Sequence, residues 1–495
     1  MGQMRFRLQN RNRITEDGLH RIYVSGSEEV PWQTHAFWED DILVVERSAN
    51  ESGNISVPWQ IDGYGECILS TATLMERDRP YLLDVELARG LIQRVRNHLF
   101  VWEWLDFECP AELLDKLQHA TREFSLAATT QDIPAESAVA ANRAIALALP
   151  TAEAITSHFA QQALAARQQE QSRLSSLVGA SLTPEIPDVD ILRQLVETCN
   201  IIEIPIAWRA IEANEGHREW KQTDQQLAWC QKGGLKVAAG PLLRLDDLGI
   251  PAWMVLWEGD FENLARVMLD HVRAVVSRYA GRVHLWHVAS RVNTGKLLSL
   301  EEEQRLYLVA QALEVVKQID PRTPTVVSFD QPWAEYLGKQ DEDLAPIHYA
   351  DALVRADLGV SGFGLEINLG CRPGGSGRRP TFEIGRLLDQ WSIWGLPLMV
   401  SLSTASEMQA DPLAKPGIQI DPVGLSGNAS PESQNDWAAS VLPLLLCRNN
   451  VQVILWNQLT DAAPHEFPNA GLFDELNYPK PVVRLIRDFR KNYLI

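Results

Sequence analysis

From Ser172 to the C-terminus the chain alternates between short apolar runs and longer stretches with helical spacing. The runs are SSLVGASL (175–182), NIIEIPIAW (200–208), LKVAAG (235–240), VHLWHVAS (283–290), PTVVSFD (324–330), GVSGFGLEI (359–367), LPLMVSLS (396–403) and VQVILWN (451–457). Between them lie helical patterns such as FENLARVMLDHVRAVVSRYA (261–280) and EEEQRLYLVAQALEVVKQI (301–319). Parallel strands are covered by helices on their outer face and by other strands within, so they read as almost continuous apolar runs rather than as alternation. Eight such βα units in about 320 residues predict an α/β fold, a closed (β/α)8 barrel over 172–495.

The preceding third reads differently. Residues 1–85 carry short alternating runs, LHRIYVSG, DILVVERS, NISVPWQI and ECILSTATL, separated by Gly, Asn, Asp and Pro. They predict a small β-rich module, and the strand count with Trp32, Trp38 and Trp59 suggests a β-sandwich. Residues 86–171 turn helical: 86–105, then 111–130 after Pro110, then Ala135–Gln169, with a break expected near Pro150 because proline lacks the N–H the ladder needs.

In a barrel of this kind the functional residues sit at the C-terminal ends of the strands. Those ends offer Glu203, Trp208, Trp286, Arg291, Asn293, Asp330, Trp333, Glu366, Asn368, Leu402, Trp456 and Asp461. Aromatic rings, amides and carboxylates together suit a saccharide, whose apolar ring face stacks and whose hydroxyls need donors and acceptors. The formal net charge of -20 disfavours a polyanion such as nucleic acid. The six cysteines are scattered with no CxxC pair, so neither a zinc site nor a disulfide framework is expected. His284 and His287 have no metal-ligand company and read as packing or hydrogen-bonding residues. No cofactor and no metal is expected. CRPGGSGRR (371–379) lacks the spacing of a phosphate loop and reads as a flexible surface loop. MGQMRFRLQNRNR is not followed by an apolar core, and no run of about 18 apolar residues exists, so neither a secretory signal nor a membrane span is expected and the compartment is read as cytoplasmic.

The barrel region resembles glycoside hydrolase family 10, the xylanase family. The resemblance rests on WRAIEANEGHREWKQTDQQLAWCQKGGLKVAAGPLL after strand two, IPAWM at 250–254, and RYAGRVHLWHVASRVN through strand four. It continues in GVSGFGLEINL, GLPLMVSLST, ILWNQLTD and GLFDELNYPKP, in the family's order. It implies a saccharide partner and an endo-β-1,4-xylanase-like scaffold. It also places the family's acid/base Glu on Arg291, the Asn before it on Ser290, and the nucleophile Glu on Leu402. The family's sugar-binding Asn and Lys near strand two fall on Ile204 and Ala207, and its Glu there on Glu203. Its strand-six His becomes Asn368, the Gln two before it Glu366, and its stacking Trp is matched by Trp456. Retaining glycosidases need two carboxyls about 5–5.5 Å apart, one to protonate the leaving oxygen and one to attack carbon. Arginine does not release its proton near neutral pH, and leucine has no lone pair.

Three readings stay open. The barrel binds a saccharide through Trp208, Trp286, Arg291, Asn293, Trp333, Asn368 and Trp456 without the standard retaining hydrolysis. Alternatively it hydrolyses glycosides with relocated carboxylates, Glu366, Asp330 and Glu203, one of them tuned by Arg291. Or the protein is a scaffold that holds a protein partner through residues 86–170. Two of these carboxylates also have a structural reading: Glu366 with Arg291 as a buried ion pair, Asp330 as a turn former before Pro332.

Overall fold

The computed structural model describes residues 2–246, 248–339, 344–421 and 429–495. Eight parallel strands close into a barrel: Leu177–Ser181, Ile201–Ile204, Lys236–Ala239, Leu285–Ser290, Thr325–Asp330, Gly362–Leu369, Leu398–Thr404 and Val451–Trp456. The eighth strand pairs back on the first, Val453 against Leu177 through Trp456 against Ala180, which seals the ring. The third strand meets the fourth at Ala238–Leu285 and Ala239–Trp286. It then passes Gly240 and Pro241 and rejoins the fourth as Leu243–Arg244. A Cβ on Gly240 would lie 2.1 Å from the His287 carbonyl oxygen, and its φ is +147°, so only glycine lets the chain pass there. Each strand falls within, or within two residues of, the apolar run expected for it.

Alternation along the strands sorts the side chains. Ile201, Ala238, Leu285, Val326, Met399, Val453 and Leu455 form a cluster of their own, an apolar plug inside the ring. The residues beside them in sequence, Ile202, Val237, Trp286, Val327, Val400 and Ile454, belong to the large core between barrel and helices. Two residues beyond the plug, on the same parity, the side chains are polar: Glu203, His287, Ser328 and Ser401, joined by Glu366 from the sixth strand.

The N-terminal module has two four-stranded sheets. One orders Thr34–Glu39, Ile42–Arg47, Gly2–Arg7 and Tyr81–Leu82; the other orders Pro31–Trp32, Tyr23–Ser25, Asn54–Ile61 and Gly65–Ser70. Helices Leu83–Glu103, Ala111–Thr129 and Pro134–Glu170 share one core with these sheets. Gly90 allows the first helix to close on the strands, since a Cβ there would sit 2.0 Å from the Ser70 carbonyl oxygen. Asn142 ties the parts together, donating to Asp84 Oδ1 at 2.6 Å and accepting from Trp59 Nε1 at 3.3 Å.

Two expectations are corrected. The third helix does not break at Pro150 but runs unbroken from Pro134 to Glu170. Its other residues pack against both preceding helices, and Thr151 donates its hydroxyl to the Leu147 carbonyl at 2.7 Å beside the missing N–H. Burial of the flanking Ala148, Leu149 and Ala152 outweighs one lost backbone bond. The segment 371–379 is not a free surface loop but the seam between module and barrel. Ile68 N–H donates to the Arg378 carbonyl at 2.8 Å, Arg378 Nη1 donates to the Tyr64 carbonyl at 3.1 Å, and Arg379 reaches Tyr23 Oη at 2.9 Å. Among the described residues no helix is long and apolar enough to cross a membrane.

Candidate functional site

The polar ring above the plug is wired into one chain. Ser181 Oγ donates to Glu203 Oε2 at 2.5 Å, and Glu203 Oε1 meets His287 Nδ1 at 2.7 Å. His287 Nε2 meets Ser328 Oγ at 2.8 Å, and Ser328 Oγ reaches Glu366 Oε1 at 3.2 Å. Glu366 Oε2 then accepts from Arg291 Nε at 2.8 Å and Nη2 at 2.7 Å. The remaining Arg291 nitrogen, Nη1, pairs with Glu466 Oε1. Arg244 Nη2 holds the other oxygen of Glu466 at 2.8 Å, and its Nε holds Asp246 at 2.7 Å. Every carboxylate in this wire has a donor, the condition under which buried charge is tolerated.

Arg291 ends the fourth strand in a left-handed turn with φ +55°, and Gln331 does the same after the fifth strand at φ +47°. Such conformations in non-glycine residues cost roughly 1–2 kcal/mol and concentrate where a side chain must be re-aimed. Burial works against the Arg291 charge, but Glu366 and Glu466 more than offset it and hold its pKa well above the usual arginine value. Burial likewise opposes the Glu466 carboxylate, yet Arg244 and Arg291 together pull its pKa down to about 2. Asp330 lacks such a partner. Burial, with smaller contributions from Glu366 and Glu466, pushes its pKa up to about 6 against the pull of Arg291.

Among the described residues, three polar atoms at these strand ends are buried without a hydrogen-bond partner: Asp330 Oδ1, Asn293 Oδ1 and Asn368 Nδ2. Their neighbouring atoms are engaged. Asn293 Nδ2 donates to the Asp330 carbonyl at 2.9 Å, and Asn368 Oδ1 accepts from Ser403 Oγ at 2.7 Å and Asn457 Nδ2 at 3.0 Å. An unmet buried donor or acceptor costs about 1–3 kcal/mol.

The structure thus brings Glu203, Glu366, Arg291, Asp330, Asn293 and Asn368 to the strand ends. It does not bring the expected aromatic rings there. Trp286 lies on the outward parity and donates Nε1 to Asp320 Oδ2 at 3.1 Å, at the opposite end of the barrel. Trp208 stacks on His271 at 4.3 Å and donates to Glu212 at 2.9 Å. Trp456 also faces outward, edge-on to Trp437, with its Nε1 on the Ala470 carbonyl at 2.9 Å. Trp333 is half-buried under the Arg379 guanidinium, 4.5 Å from its ring. Leu402 shares the outward parity of Trp456 and is fully buried in the outer core. The inward residues at the mouth end of that strand are Ser401 and Ser403, and no residue of Leu398–Thr404 carries a carboxyl. Asp461 is a staple, accepting from Lys480 Nζ at 2.5 Å and from the Gly471 N–H at 2.7 Å.

Glu466 and Arg244 were not among the residues expected from the sequence. Both lie outside the eight barrel strands, Glu466 in the loop after the eighth and Arg244 just past the third, where periodicity is silent. Asp411, Asp461 and His465 come within metal-ligand spacing of one another. The Lys480 ammonium already bonds Asp461, and His465 Nε2 already meets Asp411 Oδ2 at 2.8 Å, so the group is a self-satisfied cluster.

The mouth has a recess on its rim. A cavity of about 610 Å³ lies between the loops after the first and second strands, with Asn214, His217, Gln222 and Gln225 among its polar walls and Ile186 and Ile211 among its apolar ones. Gln226 Nε2 donates to the carbonyls of Thr183 at 2.9 Å and Pro184 at 3.1 Å, which pins the first loop to helix Lys221–Lys232.

Residues 176–298 match the family model described as Glycosyl hydrolase family 10. Endo-1,4-beta-xylanase A of Fusarium oxysporum f. sp. lycopersici is 30% identical over 104 residues, 21% of this chain and 31% of that protein. Endo-1,4-beta-xylanase B of Humicola insolens is 25% identical over 174 residues, 35% of this chain and 46% of that protein. The matched stretches therefore span less than half the length of these curated relatives. Native xylanase 10B from Thermotoga maritima superposes with a TM-score of 0.50 at 16% identity, over 66% of this chain and 97% of that one, a likeness of fold. The barrel that forms the C-terminal two thirds of this chain is a glycoside-hydrolase-family-10-like domain.

Proposed function

We propose that the barrel binds a short saccharide at its mouth and does not carry out retaining hydrolysis. The observation behind this reading is the position of Arg291, whose guanidinium pairs with both Glu366 and Glu466. A retaining mechanism needs one carboxyl that can give a proton and a second that can attack. Glu366 and Glu466 are both bonded to the same arginine, and the seventh strand offers no carboxyl. Support for a saccharide comes from the amide-rich rim cavity. Hydroxyls supply both donors and acceptors to such groups. The curated relatives are named endo-1,4-beta-xylanases, so xylo-oligosaccharides are the first ligands to test. Calorimetric titration of xylotetraose, alongside a reducing-sugar assay, tests the reading. Binding without release of reducing ends is expected, with affinity falling at least fivefold in Gln222→Ala. Absence of both binding and release contradicts it, and so does release above buffer.

One observation favours a second reading, slow hydrolysis by relocated carboxylates. Asp330 is held near pH 6, the range of a general acid. That reading expects release of reducing sugar with an acidic optimum, lost in Asp330→Asn.

A further inference from the structure

A second cleft, of about 420 Å³, lies away from the rim cavity where the N-terminal module meets the barrel. Several parts of the chain build it, with Leu369 and Thr404, the last residues of the sixth and seventh strands, among its lining. The turn at Gly63–Tyr64 and Glu153 of helix Pro134–Glu170 form one side. Arg378 and Thr381 of the seam form the next, and Asp436, Trp437 and Ser440 of helix Pro431–Leu446 close the other. None of its lining residues belongs to the ion-pair wire or to the rim cavity.

Its walls are chemically specific. Glu153 stands among alanines and leucines in the middle of a long helix, where an apolar residue would pack at less cost. Tyr64 Oη at 3.2 Å and the Thr381 N–H at 3.0 Å both donate to its Oε1, and neither uses Oε2. Burial pushes its pKa up, against the two hydrogen bonds and the Arg378 charge. Trp437 is half-buried: its indole meets Trp456 edge-on at 6.4 Å while also lining the cleft. The Arg378 guanidinium lies 4.2 Å over the Tyr64 ring. Arg379, the other cation in the wall, is committed to Glu335 at 2.5 Å and to Tyr23. Asp436 is exposed at the edge.

We propose that this cleft binds a neutral polyhydroxylated ligand of one or two sugar rings, at a site separate from the barrel mouth. Two carboxyls beside one Arg378 guanidinium give the wall no positive excess, so a phosphate or carboxylate ligand is disfavoured. A carboxyl with an oxygen to spare and a half-buried indole are the two recognition elements a sugar uses: hydroxyls to the carboxyl, the apolar ring face to the aromatic. Ligand pockets run about 300–1,000 Å³, and a cleft at the lower end takes a small guest rather than a polymer. Because the walls come from both the module and the barrel, an occupant bridges them and stabilises the folded chain in proportion to its occupancy.

The test uses the full chain titrated with D-xylose, D-glucose, xylobiose and cellobiose, followed by saturation-transfer NMR and by thermal melting. Saturable binding of at least one sugar is expected. It should weaken at least tenfold in Ser440→Phe, which fills the cleft, and at least threefold in Asp436→Ala, a substitution at an exposed site that leaves the melting temperature unchanged. In the Gln222→Ala background, which weakens the mouth, that sugar should still bind saturably and still weaken in Asp436→Ala. No saturable binding, or binding that Asp436→Ala leaves intact, overturns the proposal. So does a loss confined to Gln222→Ala, which would assign the sugar to the mouth. If Ser440→Phe does not fold, Asp436→Ala alone decides.

Discussion

Arg291 lies between Glu366 and Glu466, with Nε and Nη2 on the first at 2.8 and 2.7 Å and Nη1 on the second. Breaking a buried pair by removing one partner costs about 3–5 kcal/mol, because the other charge is left unpaired. Arg291→Met strands Glu366 and leaves Glu466 with Arg244 alone, and is expected to lose about that much in denaturant unfolding. The double variant Arg291→Met/Glu366→Gln should recover part of it, since one uncompensated charge is then gone. A double variant as unstable as the sum of its parts would show that the two side chains do not interact.

Asp330 gives a pH dependence of definite sign. Its pKa is raised in the folded state by burial, so the folded chain holds a proton that the unfolded chain has released between about pH 4 and pH 6. Its contribution is present below the unfolded value and is lost as pH rises through about 6. Asp330→Asn should therefore raise the melting temperature at pH 7.5 and leave it nearly unchanged at pH 4. Glu466 runs the other way. Its pKa is depressed to about 2, so its contribution is present above the usual carboxylate range and is lost as pH falls from about 4.5 through 2. Glu466→Gln should reduce the wild-type loss in that acid window, the rest coming from other carboxylates held below their usual range, such as Asp411 and Asp224.

The tryptophans expected to stack on sugar should behave as structural residues. Trp456 is buried, faces outward and has its N–H bonded. Trp456→Ala is expected to cost about 3–5 kcal/mol in unfolding. At temperatures where the variant stays folded, its affinity for xylotetraose should match wild type.

These results separate what was legible in the sequence from what was not. The eight strands were legible because burial on both faces leaves an apolar signature that needs no tertiary information. Which way each strand end points was not. Trp286, Leu402 and Trp456 stand at or near strand ends, yet all three share the outward parity, whereas Glu203, His287, Ser328 and Glu366 share the inward one. A run of apolar residues on both faces hides that parity; only the isolated polar residues within it betray the inner face. Glu466 and Arg244 lie outside the barrel strands, where no period operates, so the closure of the ion-pair wire could not be read. The helix through Pro150 was misread because a local breaker was weighed without the packing on either side.

Pro150 itself is exposed within that helix. Pro150→Ala restores one backbone donor and removes a ring that crowds the preceding turn, without loss of buried area. It is expected to stabilise the chain by about 1–3 kcal/mol. A neutral or destabilising change would mean that the helix has adapted to the proline.

The central claim is that this mouth holds Glu366 and Glu466 in ion pairs with Arg291 and, as proposed above, does not turn over a glycoside. Incubation of the full chain with xylohexaose from pH 4 to pH 8, with products counted by chromatography, tests it most directly. Unchanged hexaose in both wild type and Glu366→Gln, at protein concentrations where titration shows binding, is the expected result. Shorter oligosaccharides from wild type, absent with Glu366→Gln or Asp330→Asn, would contradict it.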